Sequence, residues 1–327
     1  MSRPITMEEN EEPLSAREQT VVTDSPPSPP QPKIRVVRNL EILEYLIGTI
    51  AGTDKLTKVA KYALDVIKAI VVSRPNSVLA RLISLIPNFK SKATYVSSTL
   101  STYRYILRFG YTPFALSKLF DRLKATIKDP SKINKIWMNE GALNNVLDFY
   151  YGVFDELDTL YRLSVWKNPK VYNKVVTQQC WAWEAFILLG LKNGLTQLNS
   201  IKSQITQLEV QRRVKNHAMQ LSASLHDQGP RPDSFVRQQL LQDLNKNKET
   251  AEREQEIERQ LQELRHQKLV TYLDVARLSF DCAANLSDLL HIPGPAYTYS
   301  VLSLGSGVTG LIKMWTNAAK TLSGQQN

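Results

Sequence analysis

The amino-acid sequence predicts an all-α protein: a membrane-associated helical bundle with basic amphipathic helices and a charged helical insertion. Three observations carry that expectation. Glycine is scarce, at 13 of 327 residues, and the prolines are concentrated near the start, while Leu, Lys, Gln, Ala and Glu dominate the rest. That set favours helix over strand. Apolar residues recur at spacings of three and four through long stretches, the period of one helix face. The formal charge is +10 with a pI near 9.4, which points to an anionic partner, either nucleic acid or lipid headgroups.

Residues 1–33 are acidic and then proline-rich (Ser25 to Pro32), and cannot bury enough apolar surface to offset chain entropy. They are expected to form a disordered tail carrying about −3, so the remainder carries about +13. The acidic start also lacks the basic and apolar runs of a secretory signal.

Residues 34–201 read as a helical membrane-associated domain. Leu40, Leu43, Ile47 and Ile50 open a stripe that continues through Leu56, Val59, Ala63, Ile67 and Ile70, until Ser73-Arg74-Pro75 stops it. A short apolar helix from Ser77 to Ile86 ends before Pro87.

Between Lys90 and Lys128, eight Lys or Arg face a single acid, Asp121. Val96, Leu100, Tyr103 and Leu107 form one stripe of a helix here, with Ser97, Ser101, Arg104 and Arg108 on the neighbouring side. Thr112-Pro113 is an N-cap and N1 pair for a second helix. It places Leu116, Leu119, Phe120, Leu123 and Ile127 on one face, with Lys118, Arg122 and Lys124 around the other. An apolar stripe flanked by cations is what an interfacial helix needs: apolar burial among acyl chains, plus about 1 kcal/mol for each cation near an anionic leaflet. The apolar stripe is as continuous as the basic one, which argues against a nucleic-acid groove helix. The expected membrane-binding set is Val96, Leu100, Tyr103, Arg104, Leu107, Arg108, Lys118, Leu119, Arg122, Leu123 and Lys124.

Residues 139–200 are apolar, aromatic helix. Glu184 interrupts any run of the roughly 20 residues a bilayer crossing takes, so this stretch is buried in a bundle, re-entrant, or spans with Glu184 facing protein. Residues 202–268 form a charged helical or coiled-coil insertion, broken at Gly229-Pro-Arg-Pro232. Residues 269–327 hold an amphipathic helix and an uncharged stretch, Ile292 to Ile312, of about the length of a span but weakly hydrophobic.

Enzymatic signals are few. Gly305, Gly307 and Gly310 match the dinucleotide fingerprint by letter, but no acid follows them; small residues at that spacing instead mark close helix packing. Cys180 and Cys282 lie far apart in apolar contexts, and His217, His226, His266 and His291 have no second ligand at helical spacing. No enzyme activity, cofactor or metal site is expected.

Four blocks resemble the peroxin-eleven family, which promotes elongation and proliferation of peroxisomes. Gly52-Thr-Asp54-Lys55-Leu56 with the run to Leu64 is similar to its opening helix, and Ser101 to Gly110 to its basic amphipathic element. The block Asp155, Glu156, Leu157, Asp158, Tyr161 and Arg162 is the most specific. Asn285 to Asp288 followed by Leu304 to Trp315 resembles the closing segment. The long acidic, proline-rich start is similar to fungal members. The resemblance implies a peroxisomal membrane protein that elongates the membrane by helix insertion and promotes fission. Its implied partners are anionic phospholipid, a homo-oligomer or family paralogues, and dynamin-type fission machinery, with no nucleic acid. It also admits a metabolite pore, and the charged segment admits a soluble coiled-coil adaptor.

Overall fold

In the computed structural model, residues 38–227, 247–295 and 297–324 are described, and every regular element among them is helical. The expected tail at 1–33 and the break at Gly229 to Pro232 lie outside the described residues.

The first apolar stripe divides into two helices, α1 (Asn39–Ile47) and α2 (Ile50–Ser73). Periodicity carries through the division because its cause is local: the Thr49 hydroxyl accepts from the Gly52 N–H at 3.1 Å and starts α2 afresh. Gly52 is required there, since a Cβ would lie 2.1 Å from the Leu46 carbonyl oxygen. After α3 (Val78–Ser84), the basic region forms α4 (Phe89–Arg108) and α5 (Thr112–Lys128). Between them the chain turns at Gly110, whose φ of 89° lies in the left-handed region. Tyr111 takes the N-cap position of α5, one residue before the Thr112 cap that the sequence suggests.

Following the short α6 (Ile133–Trp137) come α7 (Glu140–Arg162) and α8 (Pro169–Asp227), then α9 (Asn247–Leu289) and α10 (Thr298–Gly324). The helices α8 and α9 run unbroken across residues 201–202 and 268–269, so the described parts of the charged stretch, 202–227 and 247–268, continue the bundle's own helices. Along it Leu261 is wholly buried, and Arg212 pairs with Glu258 at 3.0 Å.

Six helices close into a ring in the order α2, α4, α7, α8, α9, α10, with α10 packing back on α2. The closing helix seats its glycines on its neighbours. A Cβ at Gly305 would meet Phe280 at 3.1 Å, one at Gly307 would meet Val59 at 3.1 Å, and one at Gly310 would meet Arg277 at 3.1 Å. Outside the ring, Ile42 and Leu46 of α1 bury against Ala318, Met314 and Trp315 of α10. Glu184 is buried on α8, where its carboxylate accepts from Cys282 Sγ and Asn285 Nδ2, each at 2.9 Å. Among the described residues, no helix is long and apolar enough to cross a membrane, α10 included.

Candidate functional site

The basic helices present two unlike faces. On α4 the residues Ala93, Ser97, Arg104 and Arg108 turn inward. Ala93 and Ser97 are buried, and the Ser97 hydroxyl donates to Asp65 of α2 at 2.8 Å. Arg104 Nε donates to Asp54 Oδ1 at 2.9 Å. Arg108 donates to the Tyr151 hydroxyl at 2.9 Å and lies 3.5 Å from Asp155. On α5, Ala115 is wholly buried, Leu119 is half-buried, and Arg122 donates to the Ile136 carbonyl at 2.6 Å. The spacing expected Arg104, Arg108 and Arg122 among lipid headgroups. The structure places them against protein instead, because the acids and carbonyls that receive them lie on α2, α6 and α7.

The outer face carries the large apolar side chains. Tyr95, Val96, Tyr103 and Ile106 of α4 are exposed, as are Phe120, Leu123 and Ile127 of α5, while Leu100 and Leu107 are half-buried. Lysines lie beside them: Lys124 is 79% exposed with only a 4.0 Å contact to Asp121, and Lys118 is 49% exposed, 3.7 Å from Asp148. Exposed apolar residues extend to Val78 and Leu82 of α3 and to Leu85, which caps it. Nothing in the sequence singled out α3, since a seven-residue apolar helix reads equally as core.

The remaining residues of the 155–162 block fasten α7 to its neighbours. Glu156 accepts from the backbone N–H groups of Gly110 and Thr112, both at 3.1 Å, which fixes the α4–α5 turn on α7. Arg162 donates to Asp158 at 2.8 Å and covers the Tyr105 ring at 4.3 Å, and Tyr172 also donates to Asp158, at 3.0 Å. Tyr161 stacks on Tyr172 at 3.8 Å, and the Leu157 carbonyl accepts from Trp166. The block 155–162 is therefore a clamp joining α4, α7 and α8. Gly152 admits the close approach of α5, since a Cβ there would lie 2.8 Å from Thr112 Oγ1.

Two adjoining cavities occupy the ring. The outer one, about 650 Å³, opens past exposed Ile50, Phe109, Tyr111 and Phe114. The inner one, about 160 Å³, is lined from all six ring helices, and its charged lining residues are Lys58, Arg104, Arg108 and Asp281. The two share Lys58, Arg104, Arg108, Tyr151, Trp183 and Asp281. Lys58 donates to Asp281 at 2.7 Å and to Ser306 at 2.8 Å.

Burial raises the Asp54 carboxyl, but the Arg104 guanidinium outweighs it and holds Asp54 below the usual carboxylate range. Asp155 is pushed up by burial despite Arg108, and burial raises the hydroxyls of Tyr105 and Tyr151, which stay neutral. Lys55 is pushed down to about 8 by burial, and then by its neighbours Lys58 and Arg277. Both thiols are raised, Cys282 to about 11 through burial and Glu184, so neither is poised as a nucleophile. No group of His, Cys, Asp and Glu suited to a metal ion occurs among the described residues.

Residues 40–317 match the family described as peroxisomal biogenesis factor 11. The peroxisomal membrane protein PEX25 of Saccharomyces cerevisiae is 40% identical over an alignment covering 89% of this chain and 83% of the relative. The peroxisomal membrane protein PEX27 of the same yeast is 22% identical, covering 90% of this chain and 73% of the relative. No solved structure matches.

Proposed function

This chain belongs to the peroxisomal biogenesis factor 11 family, and on that premise we propose that it is a peroxisomal membrane protein that elongates the membrane by laying the outer face of α3–α5 into one leaflet. The observation that carries this reading is the division of α4 and α5 into an arginine face satisfied by protein and an outer face of exposed apolar side chains beside lysines. Soluble monomers rarely leave that much apolar surface uncovered, and an anionic interface matches both of its components. Val96, Tyr103 and Leu123 are the wedge, together with Ile106, Phe114 and Phe120, and Lys118 and Lys124 are the headgroup contacts. Expanding one leaflet bends it outward, and the narrow tubule that results is a substrate for dynamin-type fission machinery. Further copies of this chain or its paralogues would align the wedges along the tubule.

Flotation of the full chain with anionic liposomes tests the reading, with Tyr103→Glu/Phe114→Glu as the variant. Each side chain is exposed, so the substitutions leave the fold intact. Losing two apolar insertions should weaken binding by about 100-fold and abolish tubules seen by electron microscopy. Undiminished flotation of the doubly substituted chain would remove the α3–α5 face from the mechanism.

A further inference from the structure

We propose that the two adjoining cavities form one site for a single-chain anionic amphiphile, its carboxylate or phosphate head at the charged wall around Lys55, Lys58, Arg104 and Arg108 where the chambers meet, and its hydrocarbon chain toward the apolar mouth of the outer one. The site has a charged wall and an apolar mouth, as such a molecule has two ends. The wall that the two chambers share carries three cations and one acid, and Tyr62, Tyr105, Tyr151 and Tyr299 line the inner chamber around them. The outer chamber adds Ile50, Leu107, Phe109, Phe114 and Phe186 as apolar wall, and its lining also holds four cations and five acids. Its volume falls within the range of small-molecule sites, which pair an apolar wall with a few convergent polar groups.

Charge pairing sharpens the assignment. Asp54 and Asp155 are taken by Arg104 and Arg108, and Asp281 by Lys58. Glu156 is spent on two backbone N–H groups, and Asp148 faces Lys118. Lys55 is left on the wall with no opposite charge within salt-bridge distance among the described residues, beside Lys58 and Arg277. A half-buried cation next to two others costs stability, and an anionic head relieves it. The Thr112 hydroxyl, also on the outer wall, is buried and without a hydrogen-bond partner among the described residues. The mouth carries the exposed apolar side chains of Ile50, Phe109 and Phe114, against which a hydrocarbon chain can lie.

Such binding does not require α3–α5 to lie on lipid, and it is measured without vesicles. Trp183 lines both chambers and reports on them. Submicellar dibromostearate and a brominated lysophosphatidate are titrated separately against the full chain, with intrinsic fluorescence as the readout. Saturable quenching by either supports the site, and which of the two quenches identifies the head. Trp183→Phe should remove the quenching. Ala51→Phe, at an exposed position of the outer lining, should block it with helical content and unfolding temperature unchanged. Lys55→Gln should weaken binding about ten-fold. No saturable quenching by either probe overturns the proposal, as does quenching that survives Ala51→Phe or Trp183→Phe. Equal quenching by a brominated fatty alcohol, or quenching confined to brominated phosphatidylcholine vesicles, overturns the anionic head. Flotation is scored separately, so undiminished flotation of Tyr103→Glu/Phe114→Glu with quenching intact speaks only against the α3–α5 face.

Discussion

The α4–α5 pair and the far ends of α8 and α9 are both highly charged helices, yet they handle charge in opposite ways. Along α8 and α9 the charges stay outside, as in Arg212–Glu258, and a leucine, Leu261, is buried. Along α4 and α5 the arginines are turned inward and tyrosine, phenylalanine and isoleucine stay outside. The first arrangement suits a helix pair standing in water. The second leaves apolar surface that water does not favour, and it is held in place by ion pairs that the rest of the ring supplies.

The largest effect expected from this contrast is at Arg104. Its side chain and that of Asp54 are each largely buried, so Arg104→Met strands a carboxylate and should cost about 3–5 kcal/mol in denaturant unfolding. Arg104→Met/Asp54→Leu removes both charges and should recover all but about 1 kcal/mol of that loss. The same substitution at Arg212, whose pair is exposed, should cost under about 1 kcal/mol. The sign of the pH dependence follows from Asp54. Its carboxyl is held below its ordinary value in the fold, so its contribution is present above about pH 4 and drains as pH falls through the depressed value. In Arg104→Met the acid limb of the stability curve should move to higher pH. Equal losses at Arg104 and Arg212 would erase the distinction between the two regions.

Much of the helix layout is legible in the sequence, because proline and glycine punctuate it locally. Pro75, Pro87, Gly110 and Pro130 each stand near a helix boundary. The inward face of α4 is not legible in the same way. Its stripe of Ala93, Ser97, Ser101, Arg104 and Arg108 has the same period as its apolar stripe, and Asp54 and Asp155, which decide the matter, lie about fifty residues away on other helices. The available signal was the small residues at the start of that stripe, which allow α2 to approach. Glu184 was ambiguous for the same reason, since Cys282 and Asn285, which satisfy it, lie on α9. The cavities were invisible, since six helices have to meet before they exist.

Lys55 is the exception on the inner wall, where the other cations are matched. Burial, with Lys58 and Arg277 nearby and against the pull of Asp54 and Asp281, brings its amine to about 8. The unfolded chain, with the ordinary value near 10.4, therefore holds more protons between these two values, and stability rises with pH across that window. Replacing Lys55 by Met should stabilise the protein by about 1–3 kcal/mol near neutral pH, with the gain shrinking above pH 8 and gone by about pH 10.5. Thermal melts of both chains from neutral to alkaline pH measure this. A destabilised Lys55→Met chain at neutral pH would mean that Lys55 is matched like its neighbours.

The smallest effect concerns the outer lysines. Lys118 and Lys124 each have an acid nearby, Asp148 at 3.7 Å and Asp121 at 4.0 Å, so part of their attraction for an anionic leaflet is already offset. A cation at such a surface contributes up to about 1 kcal/mol, and Lys118→Gln/Lys124→Gln should therefore lower liposome affinity by about 3- to 10-fold at low salt. The difference should close near 1 M salt, where the screening length shrinks to about 3 Å, while the apolar contribution of Tyr103 and Phe114 persists. Lys320 and Arg212, exposed cations paired with Glu263 and Glu258 on α9, supply the contrast: their Gln variants should leave binding unchanged at any salt. If all four cations mattered equally, the leaflet would be reading net charge, and the face that α4 and α5 turn outward would have no special claim on it.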